Sequence, residues 1–298
     1  MELYPTGYCI IIKDRDKMDS FLEIFQYNYI INAIIASLFT AISCGIAGTY
    51  IVAKRMVLIS GGITHSSFGG IGIAYYAGLN PIAGAAVFSV LSGIGIEYFT
   101  KKGIRNDSVI AMLWSLGMAI GIIFIYITPG YAPNLMTYLF GSILTVSTAD
   151  LYSLVILSLI MILFFTLFFR PILYISFDEE FARTQNLNTA FINYGLIILV
   201  SLTIVFNIKV AGIILLISLL TIPQNTANLF SHNFKRIIIL SILFAFTGSI
   251  AGLIISWYLN IPSGATIIFS LTLIYIIMRL ICCFPFSGKK NKTLTLGS

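Results

Sequence analysis

The sequence predicts an all-α, polytopic membrane protein with about eight to nine transmembrane helices. Of its 298 residues, 58% are hydrophobic and only 9% are charged, and the mean hydropathy is +0.99. A soluble domain carries about 25% charged residues, so this chain lacks the polar surface that water requires. Its apolar residues also run continuously, as at 151–169 and 237–258, whereas strands of a membrane barrel alternate polar and apolar positions over about ten residues. Together these observations exclude a soluble enzyme, a secreted disulfide scaffold and a disordered chain.

Nine apolar segments of the chain account for the predicted spans, since a helix needs about 20 apolar residues to cross a bilayer. They cover about residues 28–53, 57–78, 80–99, 108–128, 150–169, 191–208, 210–222, 237–258 and 264–282. The seventh segment is short and runs into Pro223, which predicts a half-span that bends at the membrane interface. Residues 135–145 are expected to form a short interfacial helix.

Polar ends flank the apolar part of the chain. Residues 1–18 form a polar N-terminal extension, 19–283 the transmembrane domain and 284–298 a polar tail. The N-terminal residues lack the basic stretch, short apolar stretch and small-residue cleavage site of a signal peptide. We therefore expect no cleaved leader.

Basic residues are distributed unevenly among the predicted loops. If Lys54 and Arg55 lie in the cytoplasm and the spans alternate, 13 of the 17 basic residues face the cytoplasm. This asymmetry is typical of membrane proteins, whose cytoplasmic loops carry an excess of Lys and Arg. It predicts an outside N-terminus and a cytoplasmic C-terminus. The net charge of +6 is explained by orientation, and no nucleic-acid partner is expected.

A histidine lies inside the second predicted span. An ionisable group within a span is costly and marks a pathway or ligand site, and imidazole binds Zn and related ions. Gly61 and Gly69 lie four residues to either side of His65 on the same helix face, where they leave space around the ring. A structural histidine that donates to a carbonyl of a neighbouring helix explains the pattern equally well. Other intramembrane polar residues, Asn193 and Asn207 among them, are expected to hydrogen-bond between helices.

The sequence contains no energy-converting motif. A phosphate-binding GxxxxGK[ST] loop is absent, and no chain of buried acids and lysines suggests a proton relay. If this protein transports a solute against a gradient, another chain must supply ATP hydrolysis.

Several motifs occur in a characteristic order along the chain. They are Lys54-Arg55-Met56, Ser60-Gly61-Gly62-Ile63-Thr64-His65, Arg105-Asn106-Asp107-Ser108, 138–144, Phe177-Asp178-Glu179-Glu180-Phe181-Ala182-Arg183, Val210-Ala211-Gly212 with Ile222-Pro223, and Pro262-Ser263-Gly264-Ala265-Thr266. In order and spacing this set resembles the integral-membrane permease subunits of zinc, manganese and iron ABC importers, over about residues 28–280. The resemblance implies a permease with a fold like that of type II ABC importers, in a prokaryotic cytoplasmic membrane.

The resemblance also implies roles for particular residues. His65 becomes a metal ligand, and four neighbours line the pathway near the metal: Gly61, Gly62, Thr64 and Gly69. A cytoplasmic coupling helix docks the ATPase through Asp178, Glu179, Glu180, Phe181 and Arg183; a solvated connector is the alternative for this stretch. Many family members carry Asp four residues before the histidine, where this chain has Gly61. Loss of a hard oxygen ligand disfavours a site tuned to manganese, so zinc is favoured over manganese and iron.

The resemblance further implies partners. These are a second copy of this chain, two cytoplasmic ATP-binding cassette subunits, an extracytoplasmic metal-binding protein and the lipid bilayer, with a transported metal and no permanently bound cofactor. A type II permease for a metal chelate, such as an iron-siderophore or cobalamin, is the alternative, although that group usually has an additional N-terminal span. An intramembrane enzyme would need a second catalytic group, and a secondary transporter would need a carboxylate at the membrane midplane; we find neither in the sequence.

Overall fold

A computed structural model of the chain describes residues 28–129, 141 and 143–283. The polar ends, residues 1–18 and 284–298, lie outside the described residues, as does most of the expected interfacial helix at 135–145. The helices are α1 (Asn28–Ala53), α2 (Val57–Tyr76), α3 (Pro81–Lys101), α4 (Asn106–Ile127), α5 (Thr148–Leu167), α6 (Phe169–Phe177), α7 (Glu179–Thr184), α8 (Thr189–Leu219), α9 (Ile222–Asn228), α10 (Phe234–Leu259) and α11 (Ser263–Cys283). A 3-10 turn at Ile143–Thr145 precedes α5.

Eight stretches of the described residues are long and apolar enough to cross a membrane. Seven are single helices: α1 to α5, α10 and α11. The eighth is the 40-residue stretch 189–228, which contains α8 and α9. The prediction of an all-α polytopic membrane protein is therefore confirmed.

The sixth and seventh predicted segments form one helix with an internal break. We expected the break at Lys209, but the helix continues through this residue and loses helical geometry at Gly212, with φ 74° and ψ 165°. Lys209 does not interrupt the helix because its ammonium reaches Asp150 of α5, with Nζ 2.7 Å from Oδ2. The conformation at position 212 has a positive φ, which glycine adopts without the steric cost that a side chain brings.

The two arms of α8 run in opposite directions along α1. In the first arm Asn193 accepts a hydrogen bond from Lys54 after the end of α1, and Asn207 bonds to Thr40 near its middle. Beyond Gly212 the chain runs back along α1, as the hydrogen bond from Gln224 Nε2 to the carbonyl of Cys44 shows, at 2.9 Å. The stretch 189–228 therefore enters and leaves the bundle at the same end. The hydrogen bonds of Asn193 and Asn207 also confirm their predicted role between helices.

Burial separates an inner from an outer set of helices. In the most apolar 18-residue windows, 61–78% of residues are buried in α1, α2 and the 189–228 stretch, against 22–28% in α3, α4, α5, α10 and α11. A helix that is apolar all round and buried belongs to the interior of the bundle. The helix that carries His65 is thus an inner helix of this single chain.

Backbone-to-backbone packing holds α2 against α3 and α4. A Cβ atom at Gly72 would lie 2.6 Å from the carbonyl oxygen of Gly121 in α4, and one at Gly70 would collide with the carbonyl of Gly84 in α3. Small residues allow helices in lipid to approach this closely and to gain van der Waals contact. The glycines of this region therefore hold α2 in place within one chain.

Candidate functional site

His65 lies near the middle of α2 and is half-buried. Its ring nitrogen Nδ1 is enclosed and has no hydrogen-bond partner among the described residues. A buried polar atom without a partner costs free energy that a bound group or a changed conformation can recover. The alternative of a histidine that donates from Nδ1 to a carbonyl is not what this conformation contains.

The indole of Trp114 in α4 covers one face of the imidazole. The two ring centroids are 4.2 Å apart and the planes are inclined by only 8°. A stacked pair of this kind restricts rotation of the imidazole and contributes about 0.5–1.5 kcal/mol beyond burial. Sequence reasoning missed Trp114 because it counted the residue as one more apolar position of the fourth span.

The four predicted lining residues lie in different surroundings. Gly61 faces the His65 stack, since a Cβ there would lie 3.6 Å from Trp114 Cζ3. A Cβ at Gly62 would lie 2.5 Å from Ile110 Cγ2, and one at Gly69 would lie 2.9 Å from the carbonyl oxygen of Gly117. Thr64 is buried and its hydroxyl donates to the carbonyl of Ser60. Of the three glycines, Gly61 is the one whose Cβ position adjoins that stack, and the lining role of all four residues stays a prediction.

The described residues alone do not complete a metal centre at His65. Among them there is no group of three or more His, Cys, Asp or Glu side chains that could hold an ion. Structural and catalytic sites for zinc use three or four protein ligands. A metal at His65 would therefore need ligands from outside the described residues, or it would pass with only transient coordination.

The predicted docking stretch forms a short helix at the end of the bundle where α1 ends. Asp178 is the N-cap of α7, and its Oδ1 accepts a hydrogen bond from the backbone N–H of Phe181 at 2.9 Å. Phe181 is 46% exposed and contacts Tyr174 edge-on, with centroids 5.5 Å apart. Glu180 and Arg183 are also exposed. The helix thus presents an aromatic ring and charges at the surface.

Glu179 connects α7 to the rest of the bundle. Its Oε1 accepts from Arg183 at 3.0 Å and its Oε2 lies 3.7 Å from Lys54 Nζ. Burial opposes ionisation of this carboxyl, but the hydrogen bond from Arg183 and the charge of Lys54 outweigh it and lower the pKa of Glu179 below its usual value. The carboxylate is therefore the stable form, which keeps the ion pairs intact.

A comparison with known families covers both regions. The model of the ABC 3 transport family matches residues 26–282, which include both His65 and α7. The chain belongs to this family. The resemblance stated from the motifs is thereby confirmed over the membrane-spanning part of the chain.

Relatives of this ABC 3 family chain cover nearly all of it. An uncharacterised membrane protein of Synechocystis is 37% identical over 87% of this chain and 93% of its own length. The manganese transport system membrane protein MntC of Listeria monocytogenes is 33% identical over 86% of this chain and 92% of its own length. The solved structure of PsaBC from Streptococcus pneumoniae in complex with Fab has a TM-score of 0.79 at 30% identity, covering 88% of this chain and 95% of that one.

Membership of the ABC 3 family settles the class of the protein. It is a membrane-spanning transport subunit with the fold of an ABC permease, and its apolar helices make it a multi-pass protein of the prokaryotic cytoplasmic membrane. Such permeases are not enzymes, and ATP hydrolysis belongs to a separate subunit, as the missing phosphate-binding loop predicted.

Proposed function

We propose that this chain is the membrane-spanning subunit of an ATP-driven importer. It moves a divalent transition-metal ion from an extracytoplasmic binding protein to the cytoplasm, and the metal is cargo rather than cofactor. The observation that carries this proposal is His65: an imidazole on an inner helix, with an enclosed and unpartnered Nδ1. An ionisable side chain inside a span costs free energy, and such residues mark ion or ligand pathways.

A homodimer would supply further ligands for an ion at His65. Because the described residues contain no group of three or more side chains that could hold an ion, a two-fold axis on the half-exposed side of His65 is the simplest source of further donors. Two copies of His65 then face one ion, and Gly61, Gly62, Thr64 and Gly69 lie along its route. Two ATP-binding cassette subunits dock through α7, with Asp178, Glu179, Glu180, Phe181 and Arg183 at the contact, and the binding protein delivers the ion from the opposite face.

The orientation follows from the charge asymmetry. We propose that the N-terminus lies outside and that α7 and the C-terminus lie in the cytoplasm. The return of the chain at Gly212 supports this proposal, because it makes 189–228 a double pass and gives the odd number of passes that the basic residues require. Lys54 and α7 share one end of the bundle through Glu179, which agrees with a common cytoplasmic location.

Cysteine labelling tests this orientation. In a variant lacking the four native cysteines, Glu180→Cys should react with an impermeant thiol reagent only after the membrane is opened. Pro129→Cys is the matched control and should react in intact cells. Labelling of position 180 from outside would overturn both the orientation and the docking role of α7.

Two arguments bear on which metal is carried. The Listeria relative is named for manganese transport, which favours manganese here, whereas Gly61 lacks the hard oxygen donor that manganese prefers. We therefore depart from the expectation of zinc and propose manganese as the principal cargo, with weak rejection of zinc. An imidazole binds zinc well and selectivity depends on the ligand set rather than on affinity alone, so the missing carboxylate should relax the choice rather than invert it.

Uptake by the reconstituted complex tests the function. Vesicles holding the permease, its ATPase subunits and its delivery protein should accumulate radioactive manganese and, less selectively, zinc when ATP is supplied. His65→Ala and His65→Asn should abolish uptake while thermal stability and assembly stay unchanged. Wild-type uptake in both variants would leave His65 a packing role only. Transport of an iron chelate with no free metal would favour the chelate permease instead.

A further inference from the structure

Lys54 is buried at a junction of three helices. It follows α1 directly, and its side chain is only 14% exposed. Its Nζ donates to Asn193 Oδ1 of α8 at 3.1 Å and lies 3.7 Å from Glu179 Oε2 of α7. Burial lowers the pKa of this ammonium, and the charge of Glu179 counteracts the shift. A buried ammonium costs free energy to keep charged. We therefore expect Lys54 to do more than hold the turn after α1 in place.

The junction connects directly to the helix that carries His65. Only Arg55 and Met56 separate Lys54 from α2, which begins at Val57. This turn is tight, because Met56 N–H donates to the carbonyl of Ile51 at 2.9 Å and Arg55 has a φ of 56°. A short, hydrogen-bonded turn passes a displacement of Lys54 on to α2 with little loss.

Glu179 has two cationic partners of different kinds. Arg183 belongs to α7 itself and is 62% exposed, whereas Lys54 belongs to the bundle and is enclosed. The contact with Arg183 therefore stiffens the short helix, while the contact with Lys54 crosses from the helix to the bundle. Asn193 holds the ammonium from the other side, at the start of α8.

We propose that Lys54 is a positioning residue that transmits movement of α7 to α2 and thereby couples ATP hydrolysis to the position of His65. The inference rests on the proposed function of α7 and of His65. A rigid-body displacement of α7 by the ATPase pulls on Glu179, and the ion pair draws the α1–α2 turn with it. Discrete contacts between packed elements are the means by which small displacements become rearrangements.

The ratio of ATP hydrolysed to metal imported measures this coupling. Lys54→Met should leave ATPase assembly and hydrolysis intact and reduce metal uptake about tenfold, because a hydrogen bond to a charged group is worth enough to change a rate by that factor. Lys54→Arg should restore much of the coupling. Lys102→Met is the matched control, since Lys102 directly follows α3 and its Nζ lies over the ring of Tyr98 of that helix, 4.7 Å from the ring centroid.

A double-mutant cycle separates coupling from folding. If the ion pair is the link, Lys54→Met combined with Glu179→Gln should lower uptake no further than the more severe single variant. Additive losses, or an unchanged ATP-to-metal ratio in a folded Lys54→Met complex, would overturn the proposal. Should Lys54→Met fail to fold, the ratio in the Glu179→Gln complex decides, and wild-type coupling there would refute the proposal. A wild-type complex that imports no metal would instead refute the proposed function.

Discussion

The glycine-rich helix α2 and the charged junction at Lys54 are held by different kinds of contact. Along α2 the packing is steric: a Cβ at Gly62 would lie 2.5 Å from Ile110, and one at Gly72 would lie 2.6 Å from a backbone oxygen. At the junction the contacts are polar, with Lys54 Nζ 3.1 Å from Asn193 Oδ1 and 3.7 Å from Glu179 Oε2.

The contrast suggests a division between a rigid unit and the link that moves it. Close-packed backbones have few alternative arrangements, because interiors have little free volume. The junction instead joins α7 to the bundle through a few side-chain contacts of Lys54. We infer that α2 to α4 move as one unit that carries His65, and that a displacement of α7 reaches this unit through the junction.

The largest expected effect is steric and concerns Gly70. Gly70→Ala places a methyl group against the backbone of Gly84 in α3, where no flexible side chain can yield. Overpacking costs about 1–3 kcal/mol or more when the backbone must shift, so we expect a clear fall in the melting temperature of the purified permease and less folded protein in the membrane.

Gly95→Ala is the control for this prediction. Its Cβ would lie 3.6 Å from Leu113 Cδ1, which is ordinary contact, and stability should not fall. Equal melting temperatures for the two variants would show that α2 and α3 separate readily, and the rigid unit would then be wrong.

An intermediate effect is expected at the exposed end of α7. Phe181→Ala removes a ring that is 46% exposed and stacks edge-on with Tyr174. The folded permease should lose only a little stability, because nearly half of the ring is already exposed. Aromatic anchors at interfaces contribute about 2 kcal/mol or more, so the affinity for the ATPase subunit should drop more than tenfold in a titration of purified components.

Phe269→Ala tests whether this loss is specific. Phe269 lies on α11 and is 65% exposed, so it provides an exposed ring on another helix. Its removal should not change ATPase binding. If both variants bind the ATPase as tightly as the wild type, α7 is a solvated connector rather than a docking helix.

The sequence predicts the two regions but not how each is assembled. His65 and Phe181 stand out because an ionisable group in a span and a polar segment between spans are visible in one dimension. Trp114 does not, because no sequence pattern fixes which face of α4 turns towards α2. Lys54 contributed only to the charge count and to one motif of the resemblance, since its burial depends on where α7 and α8 pack. The predicted segments 191–208 and 210–222 meet at Lys209, whereas the helix breaks at Gly212, which has a positive φ.

The smallest effect is expected at Gly61, which has more space around it than its neighbour Gly62. Gly61→Ala adds a Cβ at 3.6 Å from Trp114 Cζ3 and 3.8 Å from Ile217 Cδ1, which is ordinary contact, whereas Gly62→Ala would press on Ile110. Alanine also favours a helix over glycine by about 1 kcal/mol, so the melting temperature should stay equal or rise slightly for Gly61→Ala and fall for Gly62→Ala. Metal uptake by the Gly61 variant should stay within about twofold of wild type, because the methyl group touches the stacked indole without displacing the imidazole. A stable Gly61→Ala permease that no longer imports metal would mean that the ion needs the space beside His65, and the rigid unit would then contain the narrowest part of the pathway.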